Sequence, residues 1–256
     1  MTPRLLAPDE PAPVSIGHWG RRAPFFLACD HAGRRIPAAL GRLGVPEAEL
    51  LRHIAWDIGI WGTSVRIARA LDAFVIGQPY SRLVIDNNRP LTSPTLIPEV
   101  SESTAVPGNV GVSEGARAAR IGEIFTPYHE RIEREIEAAG RPLLFVAMHS
   151  FTNVYKGFER PWHAGVLFNR DQGISRIMLD LLRAEPGLVV GENEPYSVSD
   201  ESDYSAPVHA ERRGLPYLEI EIRQDLIATP AGEAEWAERF TRLLPEAWRR
   251  FTGERA

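Results

Sequence analysis

The chain has a single cysteine, Cys29, among its 256 residues. One cysteine cannot form an intrachain disulfide, and it excludes a zinc site built from several thiolates. Because Cys29 lies in the apolar run PFFLAC, we interpret it as a core residue rather than as a nucleophile. Nothing in this composition indicates an oxidising compartment.

Long apolar runs are also missing. No stretch of about 18 apolar residues occurs, so the sequence predicts no transmembrane helix. The first residues, MTPRLLAPDEPAPVSIG, carry proline and acidic residues where a signal peptide needs an unbroken apolar stretch. We therefore expect a cytoplasmic protein without a membrane partner.

Positive charge is neither in excess nor clustered. The chain has 29 Lys and Arg against 34 Asp and Glu, a net charge of −5, and the basic residues are dispersed. This distribution argues against a nucleic-acid partner. The sequence also has no GxSxG nucleophile elbow, no Walker loop and no GxGxxG segment after a strand, which disfavours serine-hydrolase and nucleotide-binding folds.

Apolar runs and helical patterns alternate from about residue 23 onward. The predicted strands are PFFLAC, AFVIG, RLVID, LLFVAM, GVLFN, LVVGE and LEIEI, and the predicted helices cover residues 63–73, 113–139, 174–183 and 234–251. This alternation predicts one three-layer α/β domain over residues 23–256, with a mixed, mostly parallel sheet and helices on both faces. The Pro-rich segment 1–22 is expected to be an irregular N-terminal arm. The Pro- and Gly-rich segment 87–112 is a candidate lid over a substrate.

Two histidines stand at the ends of predicted central strands. His31 follows PFFLAC and His149 follows LLFVAM, the position where open α/β sheets bind ligands. A single histidine of this kind is more often a capping or core residue, but two on separate strands favour a shared site. Asp57 is the expected third ligand, because glycines near it allow close approach of the backbone. It can instead cap the helix near residue 63, and Asp30 competes with it as the carboxylate.

Two histidines and one carboxylate suit a mononuclear zinc site with an open position. We therefore predict one zinc ion per chain, or another divalent ion, held by His31, Asp57 and His149. In LEIEI the alternation puts Glu219 and Glu221 on one face, together with Arg223. That face either is exposed at a sheet edge or lines a polar cleft. In a cleft, Glu221 is the predicted general base and later the proton donor.

Arg82 and the run DNNR, residues 86–89, form a candidate anion site. Arginine pairs bidentately with carboxylates, and the amide of Asn88 can donate beside Arg89, so we expect a substrate that carries a carboxylate. The alternative is a turn with a surface salt bridge. Tyr196 and His209 are further candidates for substrate contact, although each can equally be a satisfied surface residue.

The segment HERIE, residues 129–133, has two ligand-like residues at helical spacing. It lacks the second histidine of the zincin motif, so we interpret it as part of a solvated amphipathic helix.

Six segments occur in a fixed order: CDHAGRRIP, DIGIWG, SRLVIDNNRP, AMHSF, NEPYS and YLEIEIRQDL. Together they resemble the N-formylglutamate amidohydrolase family, which is akin to zinc carboxypeptidases and aspartoacylases, over roughly residues 24–227. The resemblance implies a phosphorylase/hydrolase-like α/β fold and hydrolysis of an N-acyl amino acid such as N-formylglutamate. It places the family's histidines on His31 and His149, its late-strand glutamate on Glu221, and its anion-binding segment on Arg82, Asp86 and Arg89.

Two departures from the family pattern concern the substrate. HAG stands where HSG is common, and Glu219 and Arg223 stand where uncharged amides are often seen. Two other functions remain as alternatives: a binding protein for a carboxylated metabolite that uses the same cleft without turnover, and a metal-free protein with a structural or partner-binding role. We expect a small-molecule partner and a monomer or small homo-oligomer.

Overall fold

A computed structural model of the chain describes residues 4–253, so residues 1–3 of the predicted arm and 254–256 of the predicted domain lie outside the described part. Its strands are β1 (Ser15–Trp19), β2 (Phe25–Cys29), β3 (Phe74–Gly77), β4 (Val100–Ser101), β5 (Thr104–Ala105), β6 (Leu144–Phe151), β7 (Val154–Tyr155), β8 (Phe158–Glu159), β9 (Ala164–Leu167), β10 (Val190–Glu192) and β11 (Tyr217–Arg223). The α-helices are α1 (Glu47–Leu50), α2 (Ile60–Leu71), α3 (Glu114–Arg120), α4 (Thr126–Ala139), α5 (Gly173–Arg183) and α6 (Pro230–Thr252).

Seven of these strands form one sheet in the order β1-β3-β2-β6-β11-β9-β10. Strands β3, β2, β6 and β11 are parallel to one another, whereas β1 and the β9-β10 pair run the opposite way. The prediction of a mixed, mostly parallel sheet is therefore confirmed. The carboxyl ends of β2, β6 and β11 meet at one edge, and polar side chains that leave the core there converge.

Helices cover both faces of the sheet. Helices α2, α5 and α6 pack on one face through an apolar cluster that includes Ile67, Met178 and Phe240. Helix α4 packs on the other face through Tyr128 and Ile132. Strands β2 and β6 are buried at every residue, as expected for strands that are covered on both sides.

Two of the helices begin at a residue whose side chain satisfies one of the first free N–H groups. Ser113 caps α3 by accepting from the N–H of Ala116, and Thr229 caps α6 by accepting from the N–H of Gly232. Between α3 and α4 the helix widens into a π-turn at Ile121–Phe125, just before Pro127. Proline has no N–H for the helical ladder, so a local irregularity at this point is expected.

Two predicted elements need correction, and the candidate lid contains regular structure. The N-terminal arm is not irregular throughout, because residues 15–19 form β1 and pair with β3. The segment RLVID is not a strand: residues 82–84 form a turn, residues 85–86 are irregular, and Leu83, Val84 and Ile85 are buried in an apolar cluster. The segment 87–112 contains the small hairpin β4-β5. Among residues 4–253, no helix has both the length and the apolar character needed to cross a membrane.

Gly59 lies where the loop before α2 packs closely against the chain after β11. Its φ is +77°, and a Cβ at this position would lie 1.9 Å from the carbonyl oxygen of Ile227. Gly111 has a similar φ of +64°, but a Cβ there would meet no atom within 4 Å. Substituting each glycine in turn therefore distinguishes the free-energy cost of a left-handed backbone from that of a steric clash.

We expect Gly59→Ala to destabilise the protein more than Gly111→Ala, because only the first substitution adds overpacking, which costs about 1–3 kcal/mol. For a chain of this size, an extra 2 kcal/mol corresponds to a melting temperature about 4–8 °C lower. Thermal unfolding of both variants measures the difference. Equal melting temperatures would mean that the contact with Ile227 is not as close as described.

Candidate metal centre

A cleft of about 580 Å³ opens at the carboxyl ends of β2, β6 and β11. His31 lies two residues beyond β2, and His149 lies near the end of β6, which continues to Phe151. Glu221 of β11 is the direct neighbour of His149 in the sheet. The topology therefore brings together residues that are far apart in the chain.

His31, Asp57 and His149 form a compact buried group. One ligand-type atom from each lies within 4.8 Å of the other two. Oδ2 of Asp57 is 3.4 Å from Nδ1 of His31 and 3.0 Å from Nδ1 of His149. Two imidazole nitrogens and a carboxylate oxygen at such distances can hold one metal ion.

His31 is oriented by a second carboxylate. Its Nε2 lies 2.7 Å from Oδ1 of Asp86, and its Nδ1 has no hydrogen-bond partner in the described part of the chain. Histidines that bind metals usually donate their other ring N–H to a carboxylate or carbonyl, which fixes the tautomer. The unpartnered Nδ1, buried and directed at Asp57, therefore fits a metal ligand.

Asp30 has a different position from Asp57. Its Oδ1 accepts hydrogen bonds from the hydroxyls of Tyr128 (2.9 Å) and Ser205 (2.8 Å). Its Oδ2 lies 3.6 Å from Nε2 of His149, on the side of the ring away from Asp57. Asp30 thus faces His149 without a hydrogen bond to it, and the three-residue group contains Asp57 instead.

Charges are concentrated in this group. Burial would raise the pKa of Asp57, but the two histidines outweigh burial and hold its pKa below the usual range. Burial would lower the pKa of His149, but Asp57 raises it well above the usual range. Binding of a metal displaces such a proton, because the ligand must be the neutral imidazole.

Glu219 and Glu221 line the cleft and are almost completely buried. Strand β11 lies between β6 and β9, so the alternative of an exposed sheet edge does not apply. Burial raises the pKa of Glu221 to about 8 and also raises that of Glu219. A bound cation would lower both values by favouring the charged forms. Arg223 instead pairs with Asp225.

The predicted anion segment lines the same cleft and also forms the predicted turn. Arg82 donates to Oδ2 of Asp86 through Nε (3.1 Å) and Nη2 (2.7 Å), and its Nη1 lies 3.5 Å from Oδ1 of Asp57. Arg89 donates to the carbonyl of Ser202. Both guanidinium groups are partly exposed to the cleft.

Asn88 links this segment to the chain after β10. Its Nδ2 donates to Asp203 (3.1 Å), and its Oδ1 accepts from the N–H groups of Tyr204 and Ser205. Its own N–H donates to Asp86. Asn88 lines the cleft, but its side-chain amide is already used within the protein. A bracing role fits these contacts better than the predicted contact with substrate.

Tyr196 lines the cleft, whereas His209 does not. His209 is fully buried behind the sheet, where its Nε2 lies 2.8 Å from Nδ1 of His129. Burial lowers the pKa of His129 and takes that of His209 to about 3, which favours the neutral form of both rings. The predicted substrate contact of His209 must be corrected, because the ring packs against α4. His129 is likewise buried rather than solvated.

Other cleft residues were not identified from the sequence. His53, Glu102, Asp203 and Tyr155 line the cleft from loops and short hairpins, where no periodic pattern marks them. Glu102 lies at the tip of the β4-β5 hairpin, inside the predicted lid. The candidate lid therefore borders the cleft, and its closure over a substrate stays a prediction.

The family model described as N-formylglutamate amidohydrolase matches residues 23–228. A curated N-formylglutamate deformylase of Pseudomonas putida is 32% identical over 130 residues, which are 47% of this chain and 47% of that protein. The chain thus matches about half the length of this curated relative. A second N-formylglutamate deformylase, from Pseudomonas aeruginosa, is 29% identical over 45% of this chain and 46% of its own length.

Two solved structures are similar over nearly the whole chain. The crystal structure of a gene product of Agrobacterium tumefaciens has a TM-score of 0.92 at 33% identity and covers 97% of this chain and 100% of its own. The N-formylglutamate amidohydrolase of Ralstonia eutropha JMP134 has a TM-score of 0.68 at 20% identity and covers 94% and 99%. The second likeness concerns the fold alone.

We expect one divalent ion per chain in the wild-type protein, and its loss in His31→Ala and His149→Ala, because each substitution removes a ligand. Asp86→Asn keeps all three ligands and should weaken metal affinity about 10–100-fold, since it disturbs the orientation of His31. Metal analysis after dialysis and titration against a chelator measure both effects.

His18→Ala is the matched control, because His18 is also paired with a carboxylate, Asp72, but lies on β1 outside the cleft. It should retain the full metal content. If His31→Ala and His149→Ala also retained the full content, the assignment of these ligands would be lost.

Proposed function

Because this chain belongs to the N-formylglutamate amidohydrolase family, we propose that it is a zinc-dependent amidohydrolase that cleaves the amide of an N-acyl amino acid such as N-formylglutamate. The observation that carries the proposal is the grouping of His31, Asp57 and His149 beside Glu221 in one cleft. The names of the two Pseudomonas relatives support the substrate. The products are a carboxylic acid and a free amino acid.

The donor set supports zinc. Two imidazole nitrogens and one carboxylate oxygen are typical of catalytic zinc sites, which leave a coordination position open. Sites built only from oxygen ligands favour magnesium or calcium instead. When bound, zinc supplies Lewis-acid chemistry, which polarises a carbonyl and makes a nearby water more acidic. Another divalent ion with a similar preference for nitrogen is the alternative.

Glu221 is the proposed general base. Its strand register puts it beside His149, and its Oε2 is buried without a hydrogen-bond partner in the described part of the chain. Opposite Glu221 on β9 stands Gly165, whose lack of a side chain admits the carbonyl oxygen of Glu194, because a Cβ there would lie 2.0 Å from that oxygen. A carboxylate so placed accepts a proton from the attacking water and later donates it to the leaving nitrogen.

Arg82 and Arg89 are proposed to bind a carboxylate of the substrate. Both line the cleft, and a guanidinium group offers paired donors that match a carboxylate. Asp86 contacts Arg82 directly and lies 3.9 Å from Arg89, and this holds their charges near the metal centre. Arg89 is the cleaner residue to test, because Arg82 also contacts Asp57.

We expect Glu221→Gln to lower kcat for N-formylglutamate about 10²–10⁴-fold, because the amide has nearly the same shape but cannot accept the proton. Metal content and KM should change little. Formate and glutamate release measure the rate. Glu238→Gln, an exposed substitution on α6, is the control and should be as active as the wild type. Wild-type turnover in Glu221→Gln would refute the proposed base.

Arg89→Met should raise KM for N-formylglutamate about 10–100-fold at nearly constant kcat, because a hydrogen-bonded charge contributes about 1.5–3 kcal/mol. Steady-state kinetics measure the two constants separately. The control is Arg117→Met, which removes an exposed arginine of α3. An unchanged KM would show that Arg89 does not hold the substrate.

A further inference from the structure

Arg160 is a buried arginine behind one wall of the cleft. It lies directly after β8 and is only 7% exposed. Its Nη1 donates to the carbonyl of Thr152 (3.3 Å) and to the hydroxyl of Tyr196 (3.0 Å). Within residues 4–253, no carboxylate oxygen lies within 4.0 Å of its guanidinium group.

Aromatic rings surround this guanidinium group. Its central carbon lies 4.8 Å from the ring centroids of both Tyr155 and Tyr196, and 5.7 Å from that of Phe151. These three rings line the cleft. Ring faces attract a cation, but they do not neutralise its charge as a carboxylate does. A buried cation without a counter-ion is costly unless a bound anion completes the site.

Two comparisons set Arg160 apart. Arg82 and Arg89 face the same cleft, but they share Asp86. Arg120 is also buried without a carboxylate partner, but it donates to three oxygens, those of Val84, Gly108 and Asn109, and does not line the cleft. Its contacts explain it as a structural residue. Arg160 has fewer oxygen partners, and one of them, Tyr196, opens onto the cleft.

The hydroxyl of Tyr196 connects Arg160 to the cleft. Because this hydroxyl accepts a hydrogen bond from Arg160, its own proton is available for an acceptor. Tyr196 is 44% exposed, so a ligand can reach it. A ligand carboxylate here would accept a hydrogen bond from the hydroxyl of Tyr196 and would lie near the positive charge of Arg160.

We propose that Arg160 and Tyr196 form a second anion subsite, which binds the side-chain carboxylate of the substrate, while Arg82 and Arg89 bind its other carboxylate. The inference rests on the proposed function, since it concerns the substrate of the same cleft. Arg160 is then a residue that determines specificity: it selects an acidic side chain over the amide of the same shape.

The test compares N-formylglutamate with N-formylglutamine, which differ only in the distal group: a negatively charged carboxylate in the first and a neutral carboxamide, which also donates hydrogen bonds, in the second. Wild-type protein should have the higher kcat/KM for N-formylglutamate. Arg160→Met should lower this preference about 10–100-fold, the factor that corresponds to loss of a charged hydrogen bond. Equal losses for both substrates would mean that Arg160 only supports the fold, and this result would overturn the inference.

Tyr196→Phe is the second variant, because it removes one hydroxyl from a partly exposed ring and is compatible with folding. It should also lower the preference for N-formylglutamate, and an unchanged preference would overturn the inference. Arg239→Met is the control, since Arg239 packs 4.6 Å above Trp236 outside the cleft. It should leave the preference unchanged.

Direct binding separates this inference from the proposed function. Calorimetry on the Glu221→Gln protein, in which turnover is about 10²–10⁴-fold slower, measures the dissociation constants of the two N-formyl compounds. If the wild type hydrolyses neither compound, the proposed function fails. The subsite is still supported if Glu221→Gln binds N-formylglutamate more tightly than N-formylglutamine and the additional change Tyr196→Phe removes this difference. Equal binding of both compounds to the Glu221→Gln protein would overturn the subsite.

Discussion

The structure depends on one carboxylate held between two imidazoles. Oδ2 of Asp57 faces Nδ1 of both His31 and His149, and the backbone ties these three residues together. The N–H of Asp57 donates to the carbonyl of His31, and the N–H of Ser150 donates to Oδ2 of Asp57. The hydroxyl of Ser150 donates to the carbonyl of Ile58. The loop before α2 is thereby fastened to the ends of both β2 and β6.

Further polar residues hold this arrangement from outside. Asp86 orients His31, and Asp30 faces His149 while accepting from two hydroxyls. Buried carboxylates and imidazoles are costly unless they are paired. Here Asp30, Asp57 and Asp86 each have an opposite charge nearby, and the unpartnered Nδ1 of His31 marks where a cation would complete the pairing. The polar network and the proposed catalysis therefore have the same physical basis.

The sequence allowed the central strands and the grouping of His31, Asp57 and His149 to be predicted. Unbroken apolar runs mark strands covered on both faces, and polar residues at their ends mark the edge of a sheet where ligands bind. The same reasoning gave wrong predictions where tertiary packing determines the local structure. RLVID has the composition of a strand but folds as a buried turn, and His209 looks like a cleft residue but packs against His129. Asp30 and Asp57 are distinguished only by their directions in space, and Arg160 follows a two-residue strand that no periodicity marks.

Anomalous diffraction from crystals of the zinc-loaded protein locates the ion relative to its ligands. We predict a single strong zinc peak about 2.0–2.2 Å from Nδ1 of His31, Nδ1 of His149 and a carboxylate oxygen of Asp57. A peak coordinated by Asp30 in place of Asp57, or zinc bound only outside this group, would contradict it.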